Sequence, residues 1–70
     1  MKKISVSLYG HQTSISLEQE FIDSLKEIAT TENKSIAAIV CDIDEKRNNK
    51  TNLSSAIRIW ILNKYKQTKE

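Results

Sequence analysis

Gln12, Ser14 and Ser16 stand at alternate positions near the start of this 70-residue chain, and each ends in an uncharged group that both donates and accepts hydrogen bonds. Side chains spaced by two share one face of a β-strand. On a two-stranded ribbon such a row has the chemistry to meet base edges. Glutamine pairs bidentately with adenine, serine takes either role, and a two-stranded ribbon fits the DNA major groove. A row of solvated polar side chains reads the same way, so both interpretations stand at this point. Other reactive side chains offer less. His11, beside the single glycine Gly10, is either a phosphate contact or a polar loop residue. Cys41 has nothing basic around it to activate a thiolate and reads as a small packed side chain. Asp42, Asp44 and Glu45 are too close along a helix to converge on a metal. Trp60 and Tyr65 have rings for base stacking, yet Trp60 falls on an apolar stripe and reads as core or interface. The serines have no histidine and acid in a nucleophile-like arrangement, there is no glycine-rich phosphate loop, and one histidine with one cysteine makes no typical zinc site. No catalytic residue, metal site, cofactor or small-molecule substrate is expected.

The hydropathy pattern shows what must position Gln12, Ser14 and Ser16. Ile4, Val6 and Leu8 occupy even positions, whereas Thr13, Ile15 and Leu17 occupy odd ones. Alternation predicts strands. The change of parity demands a bulge or a turn between the runs, and Gly10 supplies it. A strand is expected at 12–17, preceded by a weaker extended segment at 4–8. From Glu18 the period becomes helical, and Phe21, Ile22, Leu25, Ile28 and Ala29 form one stripe. Ser16 with Gln19 has the spacing of a capping box for this helix. Asn33 tolerates the left-handed conformation that ends a helix. Ser35 reads as the N-cap of a second helix over 36–46, with a stripe of Ile36, Ile39, Val40 and Ile43. After a polar break at 47–51, Thr51 or Asn52 caps a third helix over 53–66. Its stripe is Leu53, Ala56, Ile57, Trp60 and Ile61, while Ile59 and Leu62 point away. No repeat, linker or low-complexity tract stands out.

Seventy residues hold one domain at most, and an apolar share of 39% makes for a thin core. One cysteine excludes an internal disulfide, so the natural support is a second chain. A six-residue strand with both edges unpaired needs a partner; the 4–8 segment is the one candidate within the chain, with residues 1–9 otherwise clamping DNA or disordered, and the same strand of a second chain is the economical choice. The expected fold is mostly α: one N-terminal strand paired antiparallel with its twin across a homodimer, followed by three helices packed beneath. Thr13, Ile15 and Leu17 then face inward, and Gln12, Ser14 and Ser16 face outward. The chain divides into an N-terminal extended segment (1–11), a core (12–50) and a C-terminal helix with a basic tail (51–70). The net charge of +2 is unevenly spread. Lys2 and Lys3 open an acid-free start, and Lys50, Arg58, Lys64, Lys66 and Lys69 make the end basic around an acidic middle. Such an end suits polyanion contact or plain solubility. No apolar run is long enough for a membrane span. Serine interrupts the stretch after Lys3, which argues against export, and the free cysteine fits a reducing cytoplasm. Charges of both signs and ten isoleucines argue against disorder.

These residues together resemble the ribbon-helix-helix family of Arc- and MetJ-type repressors, which read DNA with a β-ribbon. The resemblance runs over 12–46: Thr13-Ser14-Ile15-Ser16-Leu17, then Phe21, Leu25, Ile28 and Ala29, then Asn33-Lys34-Ser35-Ile36. It is closer still to a bacterial subclass of short stand-alone members, through Gly10-His11-Gln12-Thr13-Ser14 and Asn52-Leu53-Ser54-Ser55-Ala56. The resemblance implies base contacts from Gln12, Ser14 and Ser16. It also implies a backbone phosphate held at the start of the second helix by Ser35, Ile36 and Ala37, where a helix N-terminus favours anions, with Lys34 alongside. Lys2 and Lys3 are the other cations expected on phosphates. Gln12 stands where the subclass tends to carry arginine, which removes a cation and a guanine reader. Asn33 stands where the family usually has glycine.

The implied function is a sequence-specific DNA-binding homodimer, a bacterial transcriptional repressor working at the nucleoid, with further dimers side by side on repeated operators. Two rivals remain. An antitoxin of this fold usually carries a flexible C-terminal arm, and here that region is an apolar helix. A protein-interaction module that has lost DNA binding is favoured by the low charge and by Gln12.

Overall fold

The computed structural model describes residues 1–68. Lys69 and Glu70 of the basic tail lie outside the described residues. Strands β1 (Lys2–Leu8) and β2 (His11–Leu17) form an antiparallel hairpin, and helices α1 (Gln19–Glu32), α2 (Ile36–Lys46) and α3 (Leu53–Thr68) follow.

The change of parity at Gly10 is a two-residue turn. Tyr9 (φ 52°) and Gly10 (φ 80°) both take positive φ, as type I′ turns do to match the twist of paired strands. The turn sets Leu8 opposite His11, Val6 opposite Thr13 and Ile4 opposite Ile15. Even positions of β1 thereby share a face with odd positions of β2, and both apolar rows fall on one side. Val6, Leu8, Ile15 and Leu17 are buried there.

The sequence offers two neighbours for β2, the 4–8 segment and a second chain's copy of the same strand. Within one chain β1 takes one edge of β2.

Beneath the hairpin lie the helical stripes. Ile22, Leu25, Ile28 and Ala29 come from α1, Ile39, Val40 and Ile43 from α2, and Ile57 and Ile61 from α3. Leu17, Leu25, Val40 and Ile57 are each 0% exposed, so α3 closes the same core as the hairpin and the first two helices. Ile59 and Leu62 remain 55% and 53% exposed on its outer side, as the stripe geometry requires.

The helix ends follow local chemistry. Asn33 adopts the left-handed conformation (φ 56°, ψ 44°), and its N–H and that of Lys34 donate to Thr30 O and Ala29 O. Ser35 Oγ accepts from Ala38 N at 3.0 Å and caps α2. Asn52 Oδ1 accepts from Ser55 N at 2.8 Å and caps α3. The break between them is pinned by Arg47, which donates to Asp44 Oδ1 and to Thr51 O, each at 2.7 Å. One expectation is corrected. Ser16 and Gln19 form no capping box; the N-cap of α1 is Glu18, with no side-chain cap. The strand runs through Ser16 to Leu17, which turns Ser16 onto the sheet's outer face, and Gln19 Nε2 donates to Asp23 Oδ1 at 2.8 Å instead.

Candidate nucleic-acid interface

The helix-averted face of the hairpin carries Lys3, Ser5 and Ser7 from β1 and Gln12, Ser14 and Ser16 from β2. Their order follows from strand alternation and from the pairs Lys3↔Ser16, Ser5↔Ser14 and Ser7↔Gln12. Ser16 is half-buried and the other five are exposed. No apolar side chain interrupts this row, because the two-residue turn has sent every one of them to the other face. Two strands lie about 4.8 Å apart, within the roughly 12 Å width of the major groove.

Lys2 and Lys3 part company. Lys3 joins the polar face, whereas Lys2 lies opposite Leu17 at the rim of the helix-facing side. Among the described residues neither enters an ion pair.

The start of α2 is the second part of the site. The Ser35 hydroxyl and carbonyl take the N–H groups of Ala38 and Ile39. The N–H groups of Ile36 and Ala37 open the helix and have no intrahelical acceptor. Ser35 and Lys34 are exposed, and Ile36 and Ala37 are half-buried. Lys34 lies 3.9 Å from Glu32, which is also bound by Lys64, so its charge is only loosely engaged. An open depression of about 760 Å³ is lined by Asn33, Lys34, Ser35 and Ile36 together with Lys26 and Thr30 of α1. A groove of about 370 Å³ joins Ile36 and Ala37 to Ser5, Ser7 and Gln12, again with Lys26 on its wall. The structure therefore brings Gln12 and the first turn of α2 to one groove. It adds Lys26, which the sequence reading missed. Lys26 follows Leu25 on an otherwise ordinary amphipathic helix, and only the docking of α1 beneath the sheet shows where it points.

None of the remaining candidates lines either groove. His11 is exposed beside the turn. Tyr9 sits at the hairpin tip, where its interaction with the Cys41 thiol, then burial, then the charge of Glu45 push its hydroxyl well above the ordinary tyrosine range. Asp42 pairs with Lys46 at 3.2 Å and Asp44 with Arg47 at 2.7 Å. Trp60 packs against the core, with Lys64 Nζ 5.1 Å from its ring centre. Among the described residues no cluster of histidine, cysteine and acids could hold a metal, and no helix is long and apolar enough to cross a membrane.

A family model for the ribbon-helix-helix domain matches residues 1–65. No curated protein and no solved structure matches the chain.

Proposed function

Because the chain belongs to the ribbon-helix-helix family, we propose that it is a sequence-specific DNA-binding regulator, a transcriptional repressor that acts as a homodimer. One observation carries this reading: an uninterrupted polar ribbon face, with the α2 N-terminus at its flank. Gln12, Ser14 and Ser16 read base edges in the major groove, with Gln12 the main reader. Ser35, Ile36 and Ala37 hold a backbone phosphate through free N–H groups and the helix dipole, and Lys34 adds charge. Lys2 and Lys3 contribute further phosphate attraction. The reading concerns the face, and it holds whether β2 has β1 or a second chain's β2 at its side.

Members of the family usually bind DNA as dimers. The exposed Ile59 and Leu62 add apolar surface that a second copy can cover. Two chains on one operator favour inverted or direct repeats, with the protein acting at the nucleoid in the cytoplasm.

Duplexes selected from genomic fragments test the function. Retention on a filter should fall steeply as salt rises, since each phosphate contact releases counterions. Absence of retention at low salt would overturn the reading, and sedimentation of the free and bound protein tests the dimer.

A further inference from the structure

α1 ends on a carboxylate. Glu32 is its last residue, where the helix dipole favours cations, and its last turn holds no basic side chain. The cation comes from elsewhere in the chain. Lys64 of α3, 32 residues on, donates to Glu32 Oε2. Lys34 Nζ stands 3.9 Å from the other oxygen, Oε1, too far for a hydrogen bond. One carboxylate therefore lies between two lysines, and the two differ in setting. The Lys64 side chain is 33% exposed, in a cleft between α1 and α3 that Ile28 and Tyr65 also line, with its ammonium 5.1 Å from the Trp60 ring centre. The Lys34 side chain is 60% exposed, beside the Ser35 cap, on the wall of the depression at the start of α2.

We propose that Lys64 is a positioning residue for DNA binding: by holding Glu32 it leaves the Lys34 ammonium to a backbone phosphate at the start of α2. This rests on the DNA-binding reading above and adds the link from α3 to the phosphate site. Lys34, Glu32 and Lys64 together leave one positive charge at this corner. Without Lys64 the remaining pair is neutral. Glu32 then draws Lys34 into a closed ion pair, and an arriving phosphate has to break it. Charge-assisted hydrogen bonds need donor and acceptor within about 2.9 Å, so a single ammonium directed at Glu32 is turned away from the anion. All three residues belong to the helices and the α1–α2 turn of one chain, and neither strand takes part.

Affinity for a duplex that the wild type retains, read by fluorescence anisotropy over a range of salt, tests the proposal, with urea melts to follow stability. Lys64→Gln should weaken binding about two- to fivefold, the scale of an exposed ion pair, and bring the salt slope towards that of Lys34→Ala. Lys64→Arg keeps a cation on Glu32 and should bind like the wild type. Glu32→Gln removes the competitor for Lys34 and should bind at least as tightly as the wild type. Lys64→Gln should then cost nothing further in the Glu32→Gln background, nor in the Lys34→Ala background. A lysine that touches phosphate itself, or that adds only to the overall charge, loses the same affinity in every background. Equal losses in all three backgrounds would therefore overturn the proposal while leaving DNA binding in place. So would a Lys64→Gln protein that melts at lower urea yet binds as the wild type does. A wild type that binds no duplex at low salt would remove the DNA-binding reading and this one with it.

Discussion

Arg58 and Glu18 are separated by 40 residues in sequence, yet Arg58 Nε donates to Glu18 Oε1 at 2.8 Å and Arg58 Nη2 to Oε2 at 3.4 Å. The pair fastens α3 to the residue that joins β2 to α1. A guanidinium fork matches both oxygens of a carboxylate and so fixes orientation as well as distance. Through it, the end of the ribbon is tied to the last helix of the chain.

The hydrogen bond from Arg58, assisted by backbone hydrogen bonding, holds the Glu18 carboxyl below the usual glutamate range. A depressed folded-state value gives stability that is present above the unfolded value, about 4.3, and is lost as pH falls through the folded value. Wild type should therefore exceed Glu18→Gln in urea midpoint at neutral pH, and the gap should close on acidification below about pH 4. A gap that stays constant down to about pH 3 would refute the linkage.

Gly10 has φ 80°, and nothing lies within 4 Å of a Cβ added there. The cost of Gly10→Ala is then backbone strain alone, about 1–2 kcal/mol. Gly10→Asn should lose much less, since asparagine tolerates that region. Thermal melts of the two variants decide the matter, and equal losses would point to a steric cause instead.

Ser35 has two tasks that can be separated. Ser35→Ala removes the cap of α2 and should cost about 1 kcal/mol, along with DNA affinity. Ser35→Asp keeps the cap, and its charge suits a helix N-terminus, but it repels a phosphate. It should match the wild type in a urea melt and bind DNA more weakly at every sequence tested. Full binding by Ser35→Asp would remove the phosphate from this site.

Ile57 of α3 is as fully buried as Leu25 of α1. Ile57→Ala should therefore cost a comparable 2–5 kcal/mol, enough to unfold a domain of this size. If denaturation shows Ile57→Ala to be mild beside Leu25→Ala, α3 is an appendage rather than a wall of the core.

Gln12→Ala should weaken binding by roughly 1–3 kcal/mol and relax preference at the base it meets. Lys34→Ala should instead lower affinity evenly across sequences and reduce the salt slope by about one. A base-specific effect from Lys34 would reverse the roles assigned to these two residues.

Residues 12–17 declare their faces by alternation, so the outward placement of Gln12, Ser14 and Ser16 needed nothing beyond a period of two. Helical stripes, the left-handed Asn33 and the Ser35 cap were likewise legible, because each depends on residues within one or two turns of chain. The partner of β2 was not. Alternation states which way side chains point and carries no label for the neighbouring strand, so the register of β1 against β2 appears only once a turn of definite length closes. Lys26 escaped notice for a related reason, as its position beside Gln12 and Ser35 depends on how α1 docks under the sheet.

Local periodicity by itself determined the elements, their buried faces and the polar row, since those are set by bond geometry and by the exclusion of apolar groups from water. Only the tertiary structure decided that β1 lies in register against β2, that Lys3 rather than Lys2 enters the polar face, and that Arg58 reaches Glu18. These are contacts between distant segments, and their free energy depends on which surfaces meet after collapse, which no short window of sequence contains.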